Sequence, residues 1–155
     1  MSVISLTNKR VVITGGARGL GRAFAEAAIG SGARVVIGDI LEERGRQTAS
    51  DLSENGEIHF RPLDLADPKS VQLLSTEAIR ILGGIDGLVN NAAIATGIGG
   101  PGMTDIEVEV WDKVMDVNVR GTWLVSKAAV PQFAKCGNGK ILNLASDLSL
   151  IHISE

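Results

Sequence analysis

The chain has 155 residues, enough for one domain with a substantial core. A formal charge of −3 and an aromatic share of 3% supply neither the basic surface nor the stacking platform that nucleic acid or an anionic membrane would select. The single cysteine, Cys136, excludes an internal disulfide and fits a reducing cytoplasm; no apolar run reaches the roughly 20 residues of a membrane helix, and no basic-then-apolar leader opens the chain.

Arg10–Thr14 reads as an apolar strand. It runs into Thr14-Gly-Gly-Ala-Arg-Gly-Leu-Gly21 and then a helix over Gly19–Ser31, with Leu20, Ala23, Phe24, Ala27 and Ala28 on one face. Glycines between strand and helix let the backbone turn tightly. The helix N-terminus, with unpaired N–H groups and a partial positive charge, can then receive a phosphate. A second strand, Arg34–Asp39, ends in a carboxylate about 20 residues after the glycines, where it can accept hydrogen bonds from a ribose. Such a carboxylate repels a 2′-phosphate, so Asp39 favours NAD over NADP, while Arg18 in the turn pulls the other way. Asp is also a preferred N-cap, and the cap of the helix Leu41–Ser53 is a compatible second role for Asp39.

Further strands follow at Glu57–Leu63, Gly87–Asn91 and Lys140–Ala145. Asp67-Pro68 opens a helix over Pro68–Leu82 that Gly83-Gly84 closes, and one long helix is expected over Asp105–Ala134, closed by Gly137 and Gly139. Alternating strands and helices predict an α/β doubly wound parallel sheet, one dinucleotide-binding domain over 1–147. The Gly-rich stretch Ala95–Gly102 falls at a carboxyl strand end and reads as the rim of a substrate pocket.

Four polar clusters punctuate the strand ends and the long helix. Asp64-Leu65 follows the third strand, where the carboxylate reads as a strand-end cap or as a partner for an adenine amino group. Asn90-Asn91-Ala92-Ala93 follows the fourth, and the asparagines alone read as turn residues. Asn118 lies in Met-Asp-Val-Asn-Val-Arg-Gly, a poor helix former among Val117, Val119 and Leu124, which indicates a buried side-chain hydrogen bond. Asn143-Leu-Ala-Ser146 ends the fifth strand. Together with Thr14-Gly-x-x-x-Gly-x-Gly21, this series resembles the short-chain dehydrogenase/reductase family in its single-domain branch, from Leu6 to about Asp147. Ala93 departs from the glycine usual in that family.

The resemblance implies a Rossmann fold and hydride transfer between a nicotinamide cofactor and a carbonyl or secondary alcohol. It places cofactor contacts at Gly15, Ala17, Arg18, Gly19, Leu20 and Gly21 in the turn. Others fall at Asp39 and Ile40, at Asp64 and Leu65, and at Asn91 and Ala92. NAD is the preferred cofactor, NADP is not excluded, and no metal is implied. Asn118 takes a catalytic role through a helix distortion whose freed carbonyl holds a water of a proton relay, and Ser146 hydrogen-bonds the substrate oxygen. The implied partner is a small-molecule alcohol or ketone, without nucleic acid or membrane, and the apolar, Gly-rich loop Ala93–Met103 is consistent with a neutral cyclic or aliphatic one. The full-length form is expected to be a homo-oligomer joined by a four-helix contact.

In such proteins a Tyr-x-x-x-Lys pair moves the hydroxyl proton. Free tyrosine titrates at about pH 10, so working near neutrality takes roughly 4 kcal/mol of differential stabilisation. The chain contains no tyrosine, and Lys127 belongs to a different element. It is therefore expected to be an inactive, truncated amino-terminal part of such an enzyme, the alternative being a non-catalytic dinucleotide-binding module. One reverse translation of Leu148–Glu155 is a transposase adaptor used in sequencing libraries, so 148–155 is expected to be a non-native tail. The sheet edge at Lys140–Ala145 predicts low solubility.

Overall fold

The computed structural model describes residues 5–95 and 102–145. Most of the pocket-rim loop Ala95–Gly102, Ser146 and the octet Leu148–Glu155 therefore lie outside the described residues.

Five parallel strands form one sheet: β1 (Arg10–Thr14), β2 (Arg34–Asp39), β3 (Ile58–Pro62), β4 (Gly87–Asn90) and β5 (Lys140–Asn143). Their order is β3-β2-β1-β4-β5, so the chain winds outward from β1, returns to its other side, and winds outward again. β1 and β2 are continuous apolar runs because a parallel sheet is covered on both faces. On one face Val11, Ile13, Val35 and Ile37 pack with Ala25, Ala28 and Ile29 of α1 (Gly19–Gly30) and Leu52 of α2 (Glu42–Leu52). On the other, Val12, Val36 and Leu88 meet Val71, Leu74 and Ala78 of α3 (Pro68–Leu82), together with Val125 and Ala129 of α5 (Thr122–Cys136). The doubly wound architecture expected from the alternation is the one observed.

Local signals set the ends of α3. Asp67 Oδ1 accepts from the Lys69 N–H, Pro68 opens the helix, and Gly83 closes it with φ of 80°. Two expectations change. The buried stripe of α1 is Gly21, Ala25, Ala28 and Ile29, rotated from the predicted face; Leu20, Ala23 and Ala27 are exposed. Gly21 has to press against the turn that precedes it, and that contact sets the rotation. The expected helix Asp105–Ala134 is not one α-helix. A 3₁₀ turn over Met103–Asp105 leads to α4 (Val108–Val114), a π-helical segment over Met115–Gly121, and then α5. The π segment is anchored to two loops at once, as described below.

No helix among the described residues is long and apolar enough to cross a membrane.

Candidate cofactor site

The carboxyl ends of β1 and β4 lie side by side and their connections diverge to opposite faces, which opens a crevice at the switch point of the sheet. The glycine turn leaves β1 at this crevice. Gly15 has φ of 70°, and a Cβ on Gly21 would collide with the Gly15 carbonyl oxygen, so the first turn of α1 folds directly over the turn. Arg18 stands in the N-cap position in an extended conformation, and no side chain caps the helix. The opening N–H groups of α1 are thus left for an external acceptor. Gly19 has φ of 56°, and a Cβ placed on it would meet nothing within 4 Å. The uncapped helix end faces open space.

Side chains from the neighbouring strand tips hold this turn. The buried Asp39 carboxylate accepts from the Ala17 N–H at 2.9 Å through Oδ2 and from the Leu41 N–H at 3.0 Å through Oδ1. The N-cap of α2 is Leu41, so Asp39 closes the bend before the helix and ties that bend to the glycine turn. Asn91 Nδ2 donates to the carbonyls of Thr14 (3.0 Å) and Gly15 (3.1 Å). Its side chain therefore crosses to β1 and does not close its own loop. Thr14 Oγ1 accepts from the N–H groups of Asn91 and Ala92, each at 3.1 Å. β1 and β4 are pinned at their tips in both directions.

The residues expected around the adenine and ribose fall on the same edge. Leu20 and Ile40 are 64% and 66% exposed. Asp64 Oδ1 accepts from the Ala66 N–H at 2.8 Å, so it caps its own bend; Leu65 is buried beneath. Arg18 is exposed on the rim. Ala17 is fully buried and its N–H is engaged by Asp39, which makes it a joint of the turn.

Asn118 sits in the π segment and grips one residue at two points. Its Oδ1 accepts from the Ile94 N–H at 2.8 Å, and its Nδ2 donates to the Ile94 carbonyl at 3.0 Å. The helix distortion expected of this residue occurs, and its side-chain hydrogen bonds are half-buried rather than buried. The same segment meets the loop after β3: Arg120 donates to the Ala66 carbonyl at 3.1 Å, and Gly121 packs against Leu65. Asn90 is buried at the base, its Nδ2 donating to Ser126 Oγ (2.9 Å) and Asn143 Oδ1 (2.8 Å), which joins β4, α5 and β5. Thr48, Ser126 and Arg120 were not singled out by the sequence. Each acts across more than 30 positions, and no local pattern marks such a contact. Among the described residues no three His, Cys, Asp or Glu side chains converge as a metal site.

Residues 9–154 match the short chain dehydrogenase family. The chain belongs to that family. It is 35% identical over 141 residues to a 3-alpha-(or 20-beta)-hydroxysteroid dehydrogenase of Mycobacterium bovis, a match spanning 91% of this chain and 52% of the relative. It is 37% identical over 142 residues to the 2,5-dichloro-2,5-cyclohexadiene-1,4-diol dehydrogenase LinX of Sphingobium indicum, covering 91% and 56% respectively. Among solved structures, a hydroxysteroid dehydrogenase from Escherichia coli superposes with a TM-score of 0.83 at 29% identity, over 92% of this chain and 57% of that one. This member of the short-chain dehydrogenases spans about half the length of the curated relatives it matches.

Proposed function

We propose that this chain is the dinucleotide-binding part of an oxidoreductase that moves a hydride between a nicotinamide cofactor and a neutral secondary alcohol or ketone. One observation carries the reading: an uncapped helix N-terminus and a glycine turn stand at the β1/β4 switch point, with Asp39 fixed beside them. The opening N–H groups of α1 bind the pyrophosphate. Asp39, held rigid by two backbone N–H groups, keeps lone pairs for ribose hydroxyls and disfavours a 2′-phosphate, so NAD is preferred over NADP. Ile40, Leu20, Asp64 and Leu65 border the adenine end, while Asn91 and Ala92 hold the cofactor-facing edge of β4. A nicotinamide held there would supply the hydride chemistry. Asn118 keeps the π segment and the Ile94 backbone in register, which leaves a main-chain carbonyl for a relay water, and Ser146 hydrogen-bonds the substrate oxygen. Ring-bearing alcohols are the substrate class, in line with the two relatives named for a hydroxysteroid and a cyclohexadienediol. An oxidoreductase built on this part is proposed to be a cytoplasmic homo-oligomer.

The 155 residues include no tyrosine to move the hydroxyl proton, which favours a second reading of the chain by itself: a non-catalytic binding module. Calorimetric titration with NAD and NADP, beside a turnover assay on cyclic alcohols, separates these. Weak NAD binding, weaker NADP binding and no turnover are expected. Turnover above background would sink the inactivity, tighter NADP binding would reverse the role of Asp39, and binding of neither would remove the dinucleotide reading. The octet Leu148–Glu155 is proposed as a non-native tail. The family match runs on to Ser154, so genomic DNA encoding the same octet is the finding that overturns this.

A further inference from the structure

Thr48 is fully buried in α2, on a stripe whose other buried members are Gly45 and Leu52. A helical threonine commonly returns its hydroxyl to its own preceding turn. Here Oγ1 donates instead to the Ala17 carbonyl at 2.8 Å, 31 residues away in the glycine turn. Ala17 is thereby held at both ends, its N–H by Asp39 and its carbonyl by Thr48. The carbonyl and the following N–H of a trans peptide point in opposite directions. Turning the Ala17 carbonyl inward to Thr48 therefore turns the Arg18 N–H outward, to the side where α1 begins. The Arg18 N–H makes no hydrogen bond among the described residues. A valine would fill the same volume without a polar atom and would leave the buried Ala17 carbonyl unpaired.

We infer that Thr48 is a positioning residue for phosphate binding: its hydroxyl sets the Ala17–Arg18 peptide so that the Arg18 N–H is presented to the pyrophosphate of the cofactor. This rests on the dinucleotide reading proposed above. ADP-ribose and adenosine are the probes, titrated against the whole chain by calorimetry and NMR. T48V weakens ADP-ribose about tenfold, the loss of one hydrogen bond's worth of affinity, and leaves adenosine binding unchanged; T48S restores ADP-ribose to within about twofold. Equal losses for both probes, or no rescue by T48S, would reduce Thr48 to a packing residue and overturn the inference. Amide exchange in the unmutated chain decides the matter should T48V not fold. The Ala17 N–H is protected with and without ligand, whereas the Arg18 N–H exchanges freely alone and becomes protected with ADP-ribose. An Arg18 N–H already protected in the free chain overturns the inference, and it does so even where ADP-ribose fails to bind, an outcome that separately removes the proposed function.

Discussion

Asp86 accepts three hydrogen bonds from Arg10, one from the backbone N–H and two from the guanidinium, at 2.7–2.9 Å. Its own N–H and carbonyl pair with Arg10 and Lys140. One residue thus aligns the starts of β1, β4 and β5, and through β1 and β4 the tips that carry the cofactor crevice. The Arg10 side chain holds the Asp86 carboxyl at about 2, below the ordinary 3.8. A depressed carboxylate contributes stability that is complete above its unfolded value and lost as pH falls through its folded value. Unfolding midpoints of the native chain and D86N should accordingly differ by a constant above pH about 4 and converge as pH falls towards about 2. Parallel curves across that interval would show that the pair contributes no proton-linked stability. Cys136 Sγ ends α5 and accepts from the same guanidinium at 2.8 Å.

At the scale of elements, the glycine turn and the caps of α3 were legible because their signals are local: Gly15 needs a positive φ, Asp67 and Pro68 start a helix, and Gly83 ends one. The π segment was legible only as the oddity of Asn118. Its register depends on Ile94 and Ala66, 24 and 54 positions away, and no periodicity of residues 105–134 encodes those contacts. Gly121 tests this dependence. Its backbone is helical, with φ of −61°, so conformation alone would favour alanine by about 1 kcal/mol. A Cβ there, however, would lie 2.7 Å from both Cβ and the carbonyl oxygen of Leu65. Overpacking against backbone costs about 1–3 kcal/mol, so the steric term wins. G121A should lower the thermal midpoint and weaken NAD binding, because the Asp64–Leu65 loop must move. A raised midpoint would mean that the loop yields freely and that the π segment does not position it.

Two apolar surfaces of the whole molecule remain without cover among the described residues. The outer face of α4, the π segment and α5 exposes Val108, Trp111, Met115, Val119, Trp123 and Val130, with Lys127 Nζ set 4.8 Å over the Trp123 ring. On the opposite face of the sheet, an apolar groove of about 240 Å³ runs between Phe24 and Ala27 of α1, Val89 of β4 and Leu142 of β5. All four residues of β5 are exposed, Leu142 by 51%, and its outer edge has no strand partner among the described residues. A lone exposed aliphatic side chain is unremarkable, but contiguous patches and open edges drive association. The chain by itself should therefore self-associate at micromolar concentration and bind a hydrophobic dye. The two surfaces predict different assemblies: a helix face that meets its own copy closes as a dimer, whereas an open edge whose adjoining groove takes a different surface of the next copy adds copies without limit. W123E should abolish a discrete dimer in sedimentation velocity while leaving larger species, and L142E should do the reverse. A chain that sediments as a monomer and leaves the dye dark would show that both surfaces are already covered, and would overturn the low solubility expected from the sheet edge.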